Sequence, residues 1–151
     1  MYNEEKILDI LSRENLVVSS TKARVFSMII DDIVVSVLFF LIFADKIANV
    51  STYEEIVIFV NFNFVFIAVL KIIYQAFFVW MYGATLGKIV MKIRVISVDY
   101  IDKPNFQASL IRAVIRIVSE LFFYLGFIWA LFYPLKQTWH DKVARTAVVN
   151  V

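Results

Sequence analysis

The sequence predicts a mainly α-helical integral membrane protein, with two full transmembrane helices, a bent third helical segment and a small cytoplasmic β element. Apolar residues make up 62% of its 151 residues, far more than in a soluble globular domain. Two apolar runs are long enough to cross a bilayer, and a third is too long for one crossing. These observations predict three to four membrane helices. We expect an N-terminal amphipathic segment, residues 1–19, and one membrane domain, residues 20–151.

The N-terminal segment has the pattern of a short amphipathic helix. Ile7, Leu8 and Leu11 share one helical face over residues 4–14, which favours a helix lying on the membrane surface or on the rest of the protein. The segment lacks the basic and apolar regions of a cleaved signal peptide. We therefore expect the membrane spans to direct insertion.

Two membrane spans follow. The first runs from about Ala23 to Phe43, after N-cap candidates at Ser19-Ser20-Thr21. A short polar loop with more acidic than basic residues separates it from the second span, about Ile56 to Tyr82. Both are long enough for the hydrocarbon core.

The third apolar stretch runs from Asn105 to Leu135. As one helix it would be roughly 46 Å long, whereas the hydrocarbon core is about 30 Å thick. We therefore predict a bend near Gly126. An amphipathic or partly inserted helix over about 106–123 would be followed by a shorter helix to Leu135.

The charge pattern predicts the topology. Basic residues precede the first span and follow the second, and the tail is basic as well. By the positive-inside rule, the N-terminus, the central loop and the C-terminus all lie in the cytoplasm, and the protein is a multi-pass protein of the cytoplasmic (inner) membrane. The short β-prone segments Ile93–Val98 and Thr146–Val151 then lie on the same side. Because a lone strand leaves its backbone groups unpaired, we expect these two segments to pair.

Two adjacent aspartates, Asp31 and Asp32, lie inside the first span. A charge at this depth costs roughly 2.5–3.5 kcal/mol, so it normally faces a partner or a wet cavity. Adjacent helical residues differ by about 100°, so one aspartate is expected to face the second span and the other the third helix. The basic side chains available as partners are Arg24, Lys71, Arg112 and Arg116.

Two interpretations of this polar cluster stay open. The first is an ion-binding cluster that relays protons or cations, with the carboxylate pKa values set by desolvation and neighbouring cations. The second is a structural ion-pair network that fixes the register of the helices.

The order of the motifs resembles the RDD family of small membrane proteins. Arg24 followed by Asp31-Asp32 resembles the Arg-Asp-Asp signature that names this family, and Leu110–Arg116 looks like its Leu-x-Arg-x-x-x-Arg helix. The segment GATLGKIVMKIRVISV is similar to its Gly-x-Thr-Leu-Gly-Lys motif, with Ala84 where Gln is common. The residues Trp139-His140-Asp141 and Thr146-Ala147-Val148-Val149 resemble the closing motif of the family. The resemblance implies a membrane protein, and transport, including cation/proton exchange, has been proposed for some members.

We interpret the family-motif residues as structural. Gly83 would end the second span, Thr85 would cap the next helix, and Gly87 would permit a close approach of the backbone. Lys88 belongs to the basic central loop, whose charges can meet anionic lipid head groups. The segment lacks the spacing and the strand–loop–helix context of a phosphate loop.

The closing motif is also interpreted as structural. His140 is the single histidine of the chain, and we expect it to be an interfacial structural residue. Asp141 and Thr146 are also expected to be structural. We expect no metal and no cofactor. The absence of cysteine excludes disulfides, thiolate metal sites and thiol catalysis.

Two functions follow as hypotheses. The first is transport of ions (cation/proton) or of a small solute, with Asp31 and Asp32 as exchangeable carboxylates, in a homo-oligomer because so few spans make a thin pathway. The alternative is a non-transporting membrane adaptor or assembly protein whose cytoplasmic face binds a protein partner. The expected partners include membrane lipids and exclude nucleic acid, and we expect no enzyme, since no nucleophile–base arrangement can be assembled.

Overall fold

The computed structural model describes residues 4–49, 51–122 and 135–151. Within these ranges the chain is mainly helical with a small two-stranded sheet. The helices are α1 (Glu4–Arg13), α2 (Thr21–Ile42), α3 (Ala44–Ala48), α4 (Tyr53–Phe62), α5 (Phe64–Tyr82), α6 (Leu86–Val90), α7 (Phe106–Leu121) and α8 (Trp139–Val143). The strands are β1 (Ile93–Ser97) and β2 (Thr146–Asn150).

Helices α2 and α5 are the two candidate membrane-spanning helices, by their length and apolar composition. Ser20 caps α2 by accepting a hydrogen bond from the Ala23 N–H at 3.2 Å. Only 22% of the apolar window of each helix is buried within the protein. Large apolar side chains such as Leu41 and Val65 are therefore exposed, an arrangement that a monomeric soluble protein rarely tolerates over so large an area.

The second predicted span is wrong as a single helix from Ile56. The chain forms α4 and α5 instead, which meet at Asn63. The Asn63 side chain donates to the Phe59 carbonyl at 2.8 Å, and such local side-chain bonds compete with the helical ladder. The candidate span is therefore α5 alone.

The predicted pairing of the two β-prone segments is confirmed. β1 and β2 form an antiparallel pair in which Val95 lies opposite Val148. Both strands are almost entirely buried. The tail is thus held against the segment that follows the Gly83–Lys88 turn.

Each face of the sheet packs on a different part of the chain. One face, with Ile96 and Val149, packs with Ile7 and Leu11 of α1 and with Leu135. The amphipathic helix therefore packs on the protein through these two residues. The other face packs against Val79, near the end of α5.

Residues 17–19 extend this pairing along β2. Val18 forms an isolated bridge with Val149, and the Ser19 N–H donates to the Val148 carbonyl at 3.0 Å. The beginning of α2 is thus fixed beside the last strand.

Helix α7 covers most of the predicted amphipathic helix, and it packs on α5 and α8. Its buried face is mostly polar, with Ser109, Arg112, Arg116 and Ser119 spaced three or four residues apart. The predicted bend near Gly126 and the predicted helix that follows it fall on residues 123–134, outside the described residues.

Candidate functional site

Asp31 is the acceptor at the centre of the first polar cluster. Its side chain is almost fully buried. It accepts hydrogen bonds from the Tyr74 hydroxyl at 2.8 Å, the Thr85 hydroxyl at 2.7 Å and the Gly87 N–H at 2.9 Å. The Lys88 ammonium lies 3.7 Å away. A carboxylate with so many donors is fixed in place, and it joins α2 to α5 and to the turn before α6.

The two glycines of this turn have different physical roles. Gly83 ends α5 in the left-handed conformation, with φ of 70°, which glycine adopts without steric cost. At Gly87 a Cβ atom would overlap the Ser27 carbonyl oxygen and would lie 2.8 Å from Asp31 Oδ1. Gly87 therefore allows α6 to lie directly against α2.

Thr85 and Lys88 complete the contacts to Asp31. Thr85 occupies the N-cap position of α6, but it makes no capping hydrogen bond; the expectation that it caps the helix is wrong because its hydroxyl donates to Asp31 instead. Lys88 is buried rather than part of an exposed basic loop. Burial lowers the pKa of Lys88 to about 7, and the nearby Asp31 carboxylate opposes this shift only in part.

Asp32 belongs to a second cluster, between α2, α5 and α7. The Lys71 ammonium lies 2.9 Å from Asp32 Oδ1 and 2.9 Å from Glu120 Oε2. Arg116 donates to the other oxygen of Glu120 at 3.1 Å. The Asp32 side chain is 35% exposed, whereas that of Asp31 is 1% exposed. Of the two aspartates, Asp32 is therefore the accessible one.

A cavity of about 220 Å³ lies beside this cluster, between α5 and α7. Its lining is apolar except for Lys71 and Glu120. A lysine held between two carboxylates thus borders a space large enough for a hydrated ion.

Asp141 is the centre of the third cluster. Its side chain is fully buried. Arg112 lies 2.6 Å from one carboxylate oxygen and Arg24 lies 3.3 Å from the other. The Thr138 N–H and hydroxyl add hydrogen bonds at 3.1 and 2.9 Å. Thr146 lies at the edge of the cluster, where its hydroxyl accepts from Arg112 at 2.9 Å.

Arg24 connects the third cluster to the start of α2. Besides Asp141, it donates to the Lys136 carbonyl at 2.5 Å, the Val148 carbonyl at 3.1 Å and the Ser19 hydroxyl at 2.7 Å. One guanidinium thus connects the first candidate span to the tail and to β2.

The charges around Asp141 set its ionisation and that of His140. Burial by itself would raise the pKa of Asp141, but the charges of Arg112 and Arg24 hold it well below its usual range. Burial lowers the pKa of His140 well below its ordinary value, and Asp141 opposes this only in part. His140 is 3% exposed. It is therefore a neutral residue in the interior of the protein, and its place at the membrane interface stays a prediction.

The basic side chains that the sequence suggested as partners of Asp31 and Asp32 lie in different clusters of the structure. Lys71 pairs with Asp32. The expectation that Arg112 and Arg116 face one of the two aspartates is wrong, because α7 turns them toward Asp141 and Glu120. Arg24 forms its ion pair with Asp141 as well.

Sequence reasoning missed the acidic partners of these arginines. Glu120 follows Arg116 by one helical turn, and that spacing was the available signal. Asp141 gave no local signal, since its partners are distant in the chain. Among the residues that the structure describes, no group of three or more His, Cys, Asp or Glu side chains is arranged to hold a metal ion.

Comparison with known proteins identifies the family. A model of the RDD family matches residues 18–145, which is most of the chain. The chain belongs to the RDD family. It is also 26% identical over 108 residues to a protein of Rickettsia prowazekii (strain Madrid E) described as uncharacterized. That match covers 70% of this chain and 57% of the relative, so this chain aligns with little more than half of the relative's length. No solved structure matches this chain.

Membership of the RDD family suggests a membrane protein, in agreement with the two long apolar helices. The three residues of the Arg-Asp-Asp signature have separate partners in this RDD protein. Arg24 holds Asp141, Asp31 holds the Gly83–Lys88 turn, and Asp32 holds Lys71. The signature is therefore three anchoring points on one helix rather than a single charged site.

Proposed function

We propose that this RDD protein is an integral membrane protein that exchanges a small monovalent cation for a proton at Asp32, Lys71 and Glu120. The observation that carries the proposal is the Lys71 ammonium, which lies 2.9 Å from each of two carboxylates beside a cavity. Carboxylate oxygens are suitable ligands for a small hard cation. This site differs from the sequence-based hypothesis, which gave Asp31 and Asp32 the same role.

The charge balance of the cluster favours exchange over simple binding. Lys71 and Arg116 carry two positive charges, and Asp32 and Glu120 carry two negative charges. A cation that binds both carboxylates restores neutrality if Lys71 gives up its proton to water. In this step the Lys71 N–H bond breaks, the nitrogen keeps the electron pair, and one cation replaces one proton.

The membrane location of the proposal rests on α2 and α5, whose apolar surfaces are mostly exposed. We place the protein in the cytoplasmic membrane with both termini in the cytoplasm, because the basic segments flank the spans on that side. Two candidate spans make a thin pathway, so the proposal includes a homo-oligomer surrounded by lipid.

A specific observation supports the alternative, a membrane adaptor with a structural polar cluster. Asp31 and Asp141 are buried and satisfied by several donors each. Such residues have no free capacity for an exchangeable ion. We therefore propose that they are structural, whichever function the protein has.

Proton-coupled flux in proteoliposomes that contain only this protein tests the proposal. With an imposed pH gradient, addition of sodium, potassium or lithium salts should dissipate the gradient. The variants Asp32→Asn and Glu120→Gln should each lower this rate by about tenfold or more, since each removes one charged ligand. Asp45→Asn is the matched control, because Asp45 is an exposed carboxylate on α3, and its rate should equal that of the wild type.

Two results would favour the adaptor. One is wild-type protein that is folded and inserted but gives no flux with any of the three cations. The other is a normal rate in both Asp32→Asn and Glu120→Gln. Unchanged tryptophan fluorescence in detergent would show that the variants are folded.

A further inference from the structure

A second, much smaller cavity lies among α2, α6, α7 and α8, next to Asp141. Its volume is about 20 Å³, which is enough for one water-sized occupant. Its titratable and charged lining is mostly basic, and consists of Arg24, Lys88, Arg112, Arg116, His140 and Asp141. Lys88, Arg112 and Arg116 are each about 5% exposed or less. The occupant of this cavity therefore meets cationic groups that have little access to solvent.

The hydrogen-bond donors around this cavity outnumber the acceptors. Arg112 uses a single nitrogen, Nη1, for both Asp141 and Thr146. Arg116 uses only Nε, which donates to Glu120. The other nitrogens of these two guanidiniums make no hydrogen bond with the described residues, so those that face the cavity can donate to an occupant that accepts hydrogen bonds.

The ion-paired side chains also include more basic than acidic groups. The ion pairs of the three clusters join five basic and four acidic side chains: Arg24, Lys71, Lys88, Arg112 and Arg116 with Asp31, Asp32, Glu120 and Asp141. Burial keeps His140 neutral by lowering its pKa. When Lys88 is protonated, the network has one uncompensated positive charge. Water can satisfy the donors, but only an anion also restores neutrality.

We propose that this cavity binds one small monatomic anion, of which chloride is the common example. The ligands are the free N–H groups of Arg112 and Arg116 and the ammonium of Lys88, opposite Asp141.

Anion binding at this site is coupled to the protonation of Lys88. The groups that face Lys88 are Asp31 and Thr85 on one side and Arg112, Arg116 and Asp141 across the cavity. Its pKa of about 7 makes the ammonium partly deprotonated near neutral pH. Anion binding therefore favours the protonated form of Lys88, and a fraction of a proton is taken up for each anion that binds near neutral pH.

The experiment is a chloride titration of the purified protein in detergent, followed by chloride NMR line broadening. Gluconate, which is too large for the cavity, keeps the ionic strength constant. Chloride should bind saturably, and it should bind about tenfold more weakly at about pH 8.5 than at about pH 6.5, because the protonated form of Lys88 is the one that binds it. Bromide should compete.

The variant Lys88→Gln should abolish the saturable broadening, while Lys22→Gln, at an exposed lysine of α2, should leave it unchanged. If Lys88→Gln does not fold, the pH dependence of the wild type decides. Absence of saturable chloride binding at both pH values would mean that the cavity holds water only, and would overturn the proposal. Binding that is independent of pH would overturn it as well. No cation flux enters this measurement, so its outcome is separate from that of the exchange proposal.

Discussion

Substitution of Gly87 tests how closely α6 lies against α2. In Gly87→Ala the new Cβ would overlap the Ser27 carbonyl oxygen, and it would lie 2.8 Å from Asp31 Oδ1. Neither neighbour can move freely, since one is helix backbone and the other is held by Tyr74 and Thr85. The substitution must therefore separate the two helices.

The free-energy cost follows from two contributions. Overpacking of this kind costs about 1–3 kcal/mol. Lengthening the charge-assisted bond from the Gly87 N–H to Asp31, now 2.9 Å, costs about 1.5–3 kcal/mol. Together these contributions should lower the free energy of unfolding of Gly87→Ala by about 2.5–6 kcal/mol.

Gly83→Ala is the matched control, because it changes the other glycine of the same turn for a different reason. There a Cβ would make ordinary contacts at 3.4 Å, and the penalty comes from the positive φ of 70°. That conformation costs about 1–2 kcal/mol for alanine. Unfolding in detergent with increasing sodium dodecyl sulfate, followed by tryptophan fluorescence, gives both values. Equal destabilisation by the two variants would refute the close approach of α6 to α2.

The remaining predictions concern Asp141 and the topology. Asp141→Asn should lower stability by about 3–5 kcal/mol, because it leaves two buried arginines without their charge partner. Since the pKa of Asp141 is depressed in the folded protein, this contribution should be complete above its ordinary value of 3.8. It should be lost as the pH falls below 3.8 toward the folded value, so unfolding curves of the variant and wild type should converge only in strong acid. Because the chain has no cysteine, single-cysteine variants can report sidedness: a thiol reagent applied from outside should label Asn49→Cys, and should leave Lys22→Cys and Val151→Cys unlabelled.

The sequence was sufficient for features that depend on local patterns. Hydrophobic runs located α2 and α5, and β-branched segments near two basic stretches predicted the pairing of β1 with β2. The helical angle between Asp31 and Asp32 correctly predicted different surroundings for the two. These features can be predicted because helical and strand periods depend only on the spacing of neighbouring residues in the sequence.

The partners of the buried charges were beyond the sequence. Which aspartate is accessible depends on where the Gly83–Lys88 turn packs, and that is a tertiary property. Lys88 looked like an ordinary basic loop residue, yet it lies 3.7 Å from Asp31 in the interior. Arg112 had several equally plausible acidic partners until the tail placed Asp141 beside it.

The distance along the chain between Arg24 and Asp141 has a consequence for biosynthesis. The two residues are 117 positions apart, so Arg24 leaves the ribosome long before its carboxylate partner exists. During that interval the guanidinium must stay in contact with water or lipid phosphates, and β1 must wait for β2. The contacts of Arg24 with Asp141 and of β1 with β2 therefore form only after the segment that contains Asp141 and β2 has been made.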